Sequence, residues 1–126
     1  MVYTICIHRR NRKRRHSGGN MKVLLINGSQ HEEGNTFLAL SEAAKALNSE
    51  GVETQIVHIG VKPLAGCIAC GKCKETGSCI FADDVYTTLC KAAAECDGII
   101  IGSPVYFAGP NGSLCALLDR LFFSRG

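Results

Sequence analysis

No stretch of the sequence approaches the ~18 consecutive apolar residues that a helix needs to cross a bilayer, so a membrane-spanning helix is not expected. A secretory leader is equally unexpected: Met1-Val2-Tyr3-Thr4-Ile5-Cys6-Ile7 is too short for an apolar leader core and has its charges on the wrong side. A cytoplasmic, reducing location is the resulting expectation. Internal repeats and a low-complexity linker are absent, which sets aside solenoids and strung-out modules. Acidic residues are missing from positions 1–20, where Arg9-Arg10-Asn11-Arg12-Lys13-Arg14-Arg15 gathers six of the fourteen cations. Without that cluster the chain carries eight basic and eleven acidic side chains, a balance of −3. Tail and body are therefore electrostatically different. Residues 1–20 are expected to form a disordered basic extension, and Met21, which opens straight into a strand pattern, is the expected natural start. Nucleic-acid binding by the tail is not expected, because no aromatic residues interleave its cations.

Familiar catalytic and nucleotide patterns are also missing. No Ser-His-Asp set and no paired carboxylates mark a nucleophile or a general acid. The loop after the first apolar run has neither the Gly-Lys-Ser/Thr ending of a nucleotide triphosphatase nor the Gly-x-Gly-x-x-Gly dinucleotide fingerprint. What is present is a globular composition, 46% hydrophobic and 20% charged over 126 residues, enough for one domain.

Within that domain strand and helix patterns alternate. Lys22-Val23-Leu24-Leu25-Ile26-Asn27 is a short apolar run that ends at Gly28, the form of a strand buried on both faces. From Asn35 to Ser49, Phe37, Leu40, Ala44 and Leu47 recur at helical spacing, and Gly51 stands where a helix would stop. Glu53 to Ile59 reads as a second strand. Asp83 and Asp84 suit the start of a helix with Val85, Leu89, Ala92 and Ala93 on its apolar side. Gly98-Ile99-Ile100-Ile101-Gly102 reads as a third strand, followed by a helix lined by Leu114, Leu117, Leu118 and Leu121. Such alternation predicts a parallel α/β sheet with right-handed crossovers. The flavodoxin order 2-1-3-4-5 would call for two further strands, so about three of five are expected here and the sequence reads as C-terminally truncated.

Two loops then stand out. Gly28-Ser29-Gln30-His31-Glu32-Glu33-Gly34-Asn35-Thr36 joins a buried strand to a helix, where free N–H groups and the positive dipole end meet an anion. Ser29, Asn35 and Thr36 can donate hydrogen bonds, and Gly34 admits a close backbone approach. A monophosphate suits the loop better than ATP or NAD, although an ordinary capped turn reads equally well from these residues alone. Ser103-Pro104-Val105-Tyr106-Phe107-Ala108-Gly109-Pro110 leaves the third strand beside the first, where the strand order reverses. Its apolar and aromatic residues suit a planar ring; alternatively, Tyr106 and Phe107 cover the core.

The runs Leu24-Leu25-Ile26-Asn27-Gly28-Ser29, Gly34-Asn35-Thr36 and Gly102-Ser103-Pro104-Val105-Tyr106-Phe107 resemble the NADPH-dependent FMN reductase group of flavodoxin-like proteins, over residues 21–123. The resemblance implies a flavodoxin-like doubly wound parallel sheet. It further implies that Ser29, Gly34, Asn35 and Thr36 hold the FMN phosphate, and that Ser103, Pro104, Val105, Tyr106, Phe107 and Gly109 border the isoalloxazine. The chain departs from the group at Gln30 and His31, where proline and a basic residue are usual, and Glu32 and Glu33 would repel a phosphate unless they face water.

Cys67-Ile68-Ala69-Cys70-Gly71-Lys72-Cys73-Lys74-Glu75-Thr76-Gly77-Ser78-Cys79 has the spacing C-x2-C-x2-C-x5-C, four of the chain's eight cysteines in one loop. Four thiolates that converge from a loop softened by Ala69, Gly71 and Gly77 suit a cubane cluster; zinc, or thiols without metal or in a reversible disulfide, are alternatives. The spacing resembles the compact motif of iron-sulfur flavoproteins, the branch of the same family with a 4Fe-4S centre, so Cys67, Cys70, Cys73 and Cys79 are the expected ligands. Lys72 and Lys74 would offset part of the cluster's charge. Cys90, Cys96 and Cys115 are expected as small buried residues and Cys6 as a tail residue. His58 is expected to be structural and His31 an auxiliary contact at most.

By the resemblance, the function is an FMN-dependent oxidoreductase that takes electrons from NAD(P)H or reduced ferredoxin and passes them to a small-molecule or protein acceptor. A homo-oligomer is implied as well. A non-enzymatic electron carrier and a zinc-stabilised binding fragment are the competing readings.

Overall fold

The computed structural model describes residues 19–124 and the backbone of Ile7–His8. The basic cluster at residues 9–15 and Cys6 lie outside the described residues. Ile7–His8 forms a short strand, β1, antiparallel to residues 98–99; the rest of the expected extension is described only at Gly19 and Asn20.

Lys22–Asn27 (β2), Glu53–His58 (β3) and Gly98–Gly102 (β4) form a parallel sheet in which β2 is central, flanked by β3 and β4. The strand order is β1-β4-β2-β3. Its parallel portion reproduces the expected order, with α1 (Asn35–Ser49) linking β2 to β3 and α3 (Asp84–Glu95) leading into β4. This is an α/β fold, consistent with part of a flavodoxin-like domain.

Successive side chains of a strand point to opposite faces, and β2 obeys this with both faces covered. Val23 and Leu25 join Leu40 and Ala44 of α1, with Ile56 and Ile100 packed alongside. Leu24 and Ile26 face the other way into a larger core with Val57, Ile99 and Ile101. There they meet Leu89 of α3 and Leu114, Leu117 and Leu121 of α4 (Gly112–Phe123). Leu24, Leu25 and Ile26 are 0–1% exposed, and burying each such side chain contributes about 1.5–3 kcal/mol. An unbroken apolar run is thus what a strand between two helical layers requires.

The expected boundaries hold where a local stop exists. Gly51 adopts φ +78° just past α1, and the N–H groups of Gly51 and Val52 close the helix on Asn48 and Leu47 carbonyls. Asp83 caps α3 by accepting the Tyr86 N–H at 2.9 Å. Two elements carry no such signal in the sequence. A single helical turn, α2 (Lys72–Thr76), lies inside the cysteine loop, and Val105–Tyr106 (β5) pairs with Gly109–Pro110 (β6) as a hairpin. Cys90 and Cys96 are buried as expected, whereas Cys115 is only half-buried.

Gly102, the last residue of β4, is where α1 crowds the sheet. A Cβ there would lie 2.8 Å from the Thr36 methyl and 3.0 Å from Leu40. Gly102→Ala is expected to destabilise the fold by about 1–3 kcal/mol through overpacking. The change would be read as a lower urea midpoint at unchanged slope.

Candidate functional site

The two loops singled out in the sequence are bolted together at the carboxyl edge of the parallel sheet. Gly28 donates its N–H to the Gly102 carbonyl at 2.8 Å. A Cβ on Gly28 would lie 2.6 Å from Leu114 and 2.9 Å from that same carbonyl, so the position admits nothing larger than glycine. Asn111, buried at the start of α4, donates from Nδ2 to the Gly28 carbonyl at 2.7 Å. Its backbone N–H reaches the Ser103 hydroxyl at 2.9 Å, and that hydroxyl in turn donates to the Pro104 carbonyl at 2.9 Å. Through Oδ1 it also accepts the Ser113 N–H at 2.9 Å. One residue, through its side chain and its backbone N–H, therefore ties both loops to a helix.

The first loop is held from inside. Asn27, fully buried, accepts the Ser29 N–H at 3.1 Å through Oδ1 and donates from Nδ2 to the Glu32 carbonyl at 3.1 Å. His58 Nε2 lies 2.8 Å from the Ser29 carbonyl. Because a carbonyl only accepts, Nε2 carries the hydrogen, and the histidine is structural as expected. Glu32 and Glu33 are exposed, which turns their charge to solvent. Ser29 Oγ accepts the His31 N–H at 3.1 Å, leaving its own hydrogen to give. No side chain caps α1: Gly34 is its N-cap residue, and a Cβ there would lie 3.2 Å from the His31 Cβ. The first-turn N–H groups at Asn35 and Thr36 thus face outward with the positive end of the helix dipole. Asn35 is exposed and Thr36 buried.

The second loop departs from the core-covering alternative. Phe107 is 106% exposed and Tyr106 49% exposed, so Phe107 covers no core. Phe107 and Ala108 sit at the hairpin tip with φ +42° and +60°, the left-handed pair of a tight turn that normally selects glycine or asparagine. Each non-glycine residue there costs about 1–2 kcal/mol. Pro104, Val105 and Gly109 are half-buried and Ser103 is buried.

The cysteine loop forms a second site. Cys67, Cys70, Cys73 and Cys79 all line one pocket, together with Ile68, Ile80, Phe81, Arg120, Phe123 and Ser124. Among the described residues every cysteine is a free thiol, and no three His, Cys, Asp or Glu side chains are gathered for a metal ion. The loop is bent by left-handed residues at Ala69, Gly71 and Gly77, and the Ala69 N–H lies 3.4 Å from the Cys67 sulfur. Tyr86, buried in α3, accepts the Cys79 N–H at 3.2 Å, and its hydroxyl meets Ser124 Oγ at 2.8 Å. Burial pushes the Tyr86 phenol above its ordinary value of 10, so it remains protonated at neutral pH.

Sequence reasoning missed three residues here: Asn111, Tyr86 and Arg120. Asn111 was legible as a helix cap before an apolar run. Arg120 breaks the i, i+3 stripe begun by Leu114 and Leu117 with a charge, a signal that the apolar reading of that helix passed over. Lys72 is exposed and paired with Glu75 at 2.7 Å, while Lys74 lies over the Phe123 ring at 5.7 Å.

Residues 21–126 match the family described as NADPH-dependent FMN reductase. The chain belongs to that family. An iron-sulfur flavoprotein of Methanocaldococcus jannaschii is 49% identical over 100 residues, 79% of this chain and 51% of that protein. Iron-sulfur flavoproteins of Archaeoglobus fulgidus and Methanosarcina thermophila are 38% and 35% identical, over 83% of this chain in each case and 51% and 54% of theirs. The chain thus spans about half the length of the curated relatives it matches. No solved structure matches it. Within this FMN reductase family member no described helix is long and apolar enough to cross a membrane.

Replacing Phe107 with asparagine removes an exposed ring and substitutes a residue that tolerates φ above zero. Phe107→Asn is expected to raise stability by about 1 kcal/mol. Urea denaturation checks it, with an unchanged or lower midpoint contradicting the strain at the hairpin tip.

Proposed function

We propose that this chain is the FMN-binding part of an oxidoreductase of the iron-sulfur flavoprotein type, which moves electrons from NAD(P)H or reduced ferredoxin to a small-molecule or protein acceptor. The supporting observation is the clamp of Gly28 to Gly102 and of Asn111 to both loops, which fixes a phosphate-suited turn and a ring-suited hairpin side by side. Residues 21–126 act as the nucleotide-binding domain in this reading, and residues 1–20 are an appendage to it.

The residues present fit FMN. An uncapped helix start, a Ser29 hydroxyl with a hydrogen to give and a buried Thr36 suit a phosphate, with both neighbouring glutamates turned to water. Asn35 completes the donor set. Pro104 to Phe107 and Gly109 offer backbone and aromatic surface to the ring. The thiol pocket likewise suits a 4Fe-4S cluster held by Cys67, Cys70, Cys73 and Cys79, since all four cysteines line one recess with a buried cation beside it. When bound, FMN accepts electrons in pairs and releases them singly, and a cluster carries them one at a time.

The protein's share is placement. A helical rise of about 1.5 Å per residue puts Asn111 and Arg120 roughly 14 Å apart along α4, so one rigid element touches both sites. Ile68, Ile80 and Phe123 stay exposed around the thiol pocket, an apolar surface that supports assembly with a second copy.

The test uses the full reading frame that carries this chain, purified anaerobically and supplied with FMN, iron and sulfide. Flavin bands and broad cluster absorption are expected, together with oxidation of NAD(P)H when an acceptor is added. Thr36→Val keeps the methyl beside Gly102 and removes the hydroxyl. It is expected to raise the FMN dissociation constant about 10-fold, roughly 1.4 kcal/mol, measured by quenching of flavin fluorescence. Protein that takes up no FMN overturns the proposal, and a colourless, zinc-loaded protein overturns its cluster portion.

A further inference from the structure

Arg120 is the one charged side chain among the described residues that is both fully buried and part of the thiol pocket. Removing a guanidinium from water costs several kcal/mol unless its charge and donors are matched, and most of this one is matched. Nη1 lies 2.7 Å from Asp83 Oδ2 and donates to the Ala65 carbonyl at 3.3 Å. Nη2 donates to the Phe81 carbonyl. The plane stands over the Tyr86 ring, 4.5 Å from its centroid. One donor is left over: Nε is buried without any hydrogen-bond partner, a rare condition for a buried N–H that calls for an explanation.

The pocket supplies one. A guanidinium is charged at any ordinary pH, Asp83 holds it at 2.7 Å, and it lines the same pocket as the four cysteines. The lysines of the cysteine loop are a poorer source of positive field. Lys72 is exposed and neutralised by Glu75, and exposed charges are screened within about 10 Å at ordinary salt.

We infer that Arg120 is the positioning residue of the thiol pocket, its unpartnered Nε–H reserved for sulfur and its buried charge raising the reduction potential of the cluster held there. This rests on the cluster reading above. Reduction adds negative charge, and a fixed buried cation with an N–H directed to sulfur favours the reduced form. Asp83 works against it: the carboxylate holds the guanidinium in place and cancels part of its field.

The two residues therefore predict shifts of opposite sign. In full-length protein reconstituted anaerobically with iron and sulfide, the midpoint potential is read by redox titration followed by electron paramagnetic resonance. Arg120→Met is expected to move it to more negative values and Arg120→Lys to restore part of the loss. Asp83→Asn retains an effective helix cap, removes the opposing charge, and is expected to move the potential to more positive values. These shifts should persist at high salt, whereas that of Lys74→Gln should shrink. A folded, loaded Arg120→Met protein with the wild-type potential overturns the inference, as does Asp83→Asn shifting the same way as Arg120→Met. If Arg120→Met fails to fold, Asp83→Asn decides: an unchanged or more negative potential overturns the inference. Wild-type protein that takes up no iron and sulfide overturns the cluster reading and this inference together, whereas loaded protein with unmoved potentials overturns this inference alone.

Discussion

The hydrogen bond from Gly28 to the Gly102 carbonyl is the constraint on which the site's geometry depends, because it extends the pairing of β2 and β4 one step past the strands and into the loops. Two loops that leave neighbouring parallel strands would otherwise diverge with the sheet twist. Here they start in contact, and the absence of a Cβ at both positions lets α1 and α4 press against them from opposite faces. Leu114 closes on Gly28 and Thr36 on Gly102, so each helix is packed against the loop that the other strand feeds. The result is a rim whose backbone donors are held by the core instead of by the loops' own limited contacts.

Asn111 converts that contact into a fixed arrangement. A buried amide that left its groups unpaired would cost about 1–3 kcal/mol, and here both Oδ1 and Nδ2, with the backbone N–H, are engaged in α4, the first loop and Ser103. A network with every member satisfied rigidifies its surroundings. The hairpin tip beyond it is the opposite case, with Phe107 and Ala108 in left-handed conformations that nothing in the described residues packs upon. Rigid base and strained, exposed tip are the division expected where a scaffold presents a contact surface.

The layers of the fold were legible because Val23 to Ile26 of β2 and Ile99 to Ile101 of β4 are unbroken apolar runs and α1, α3 and α4 repeat their apolar residues at helical spacing. Asp83 and Gly51 announced helix ends by their own chemistry. The four-cysteine spacing was legible for the same local reason. The parts that escaped depend on residues far apart in the chain or on departures from local preference. Arg120 is explained by Asp83, Ala65, Phe81 and Cys79, none of them near it in sequence. The β5–β6 hairpin has phenylalanine and alanine where turn chemistry asks for glycine or asparagine. Cys115 looked like a core residue on its helix but sits at the margin of the apolar stripe, and the single turn of α2 is too short to leave a periodic pattern.

Helix α4 begins at the loop clamp with Asn111 and Leu114 and arrives at the sulfur-lined recess with Arg120 and Ser124. A helix is a screw, so its two ends have a fixed relative bearing as well as a fixed separation. One residue gained or lost between them would turn one end by about 100° against the other, pointing either the amide away from the loops or the guanidinium away from the thiols. The span between those two residues therefore tolerates exchange of side chains but not change of length.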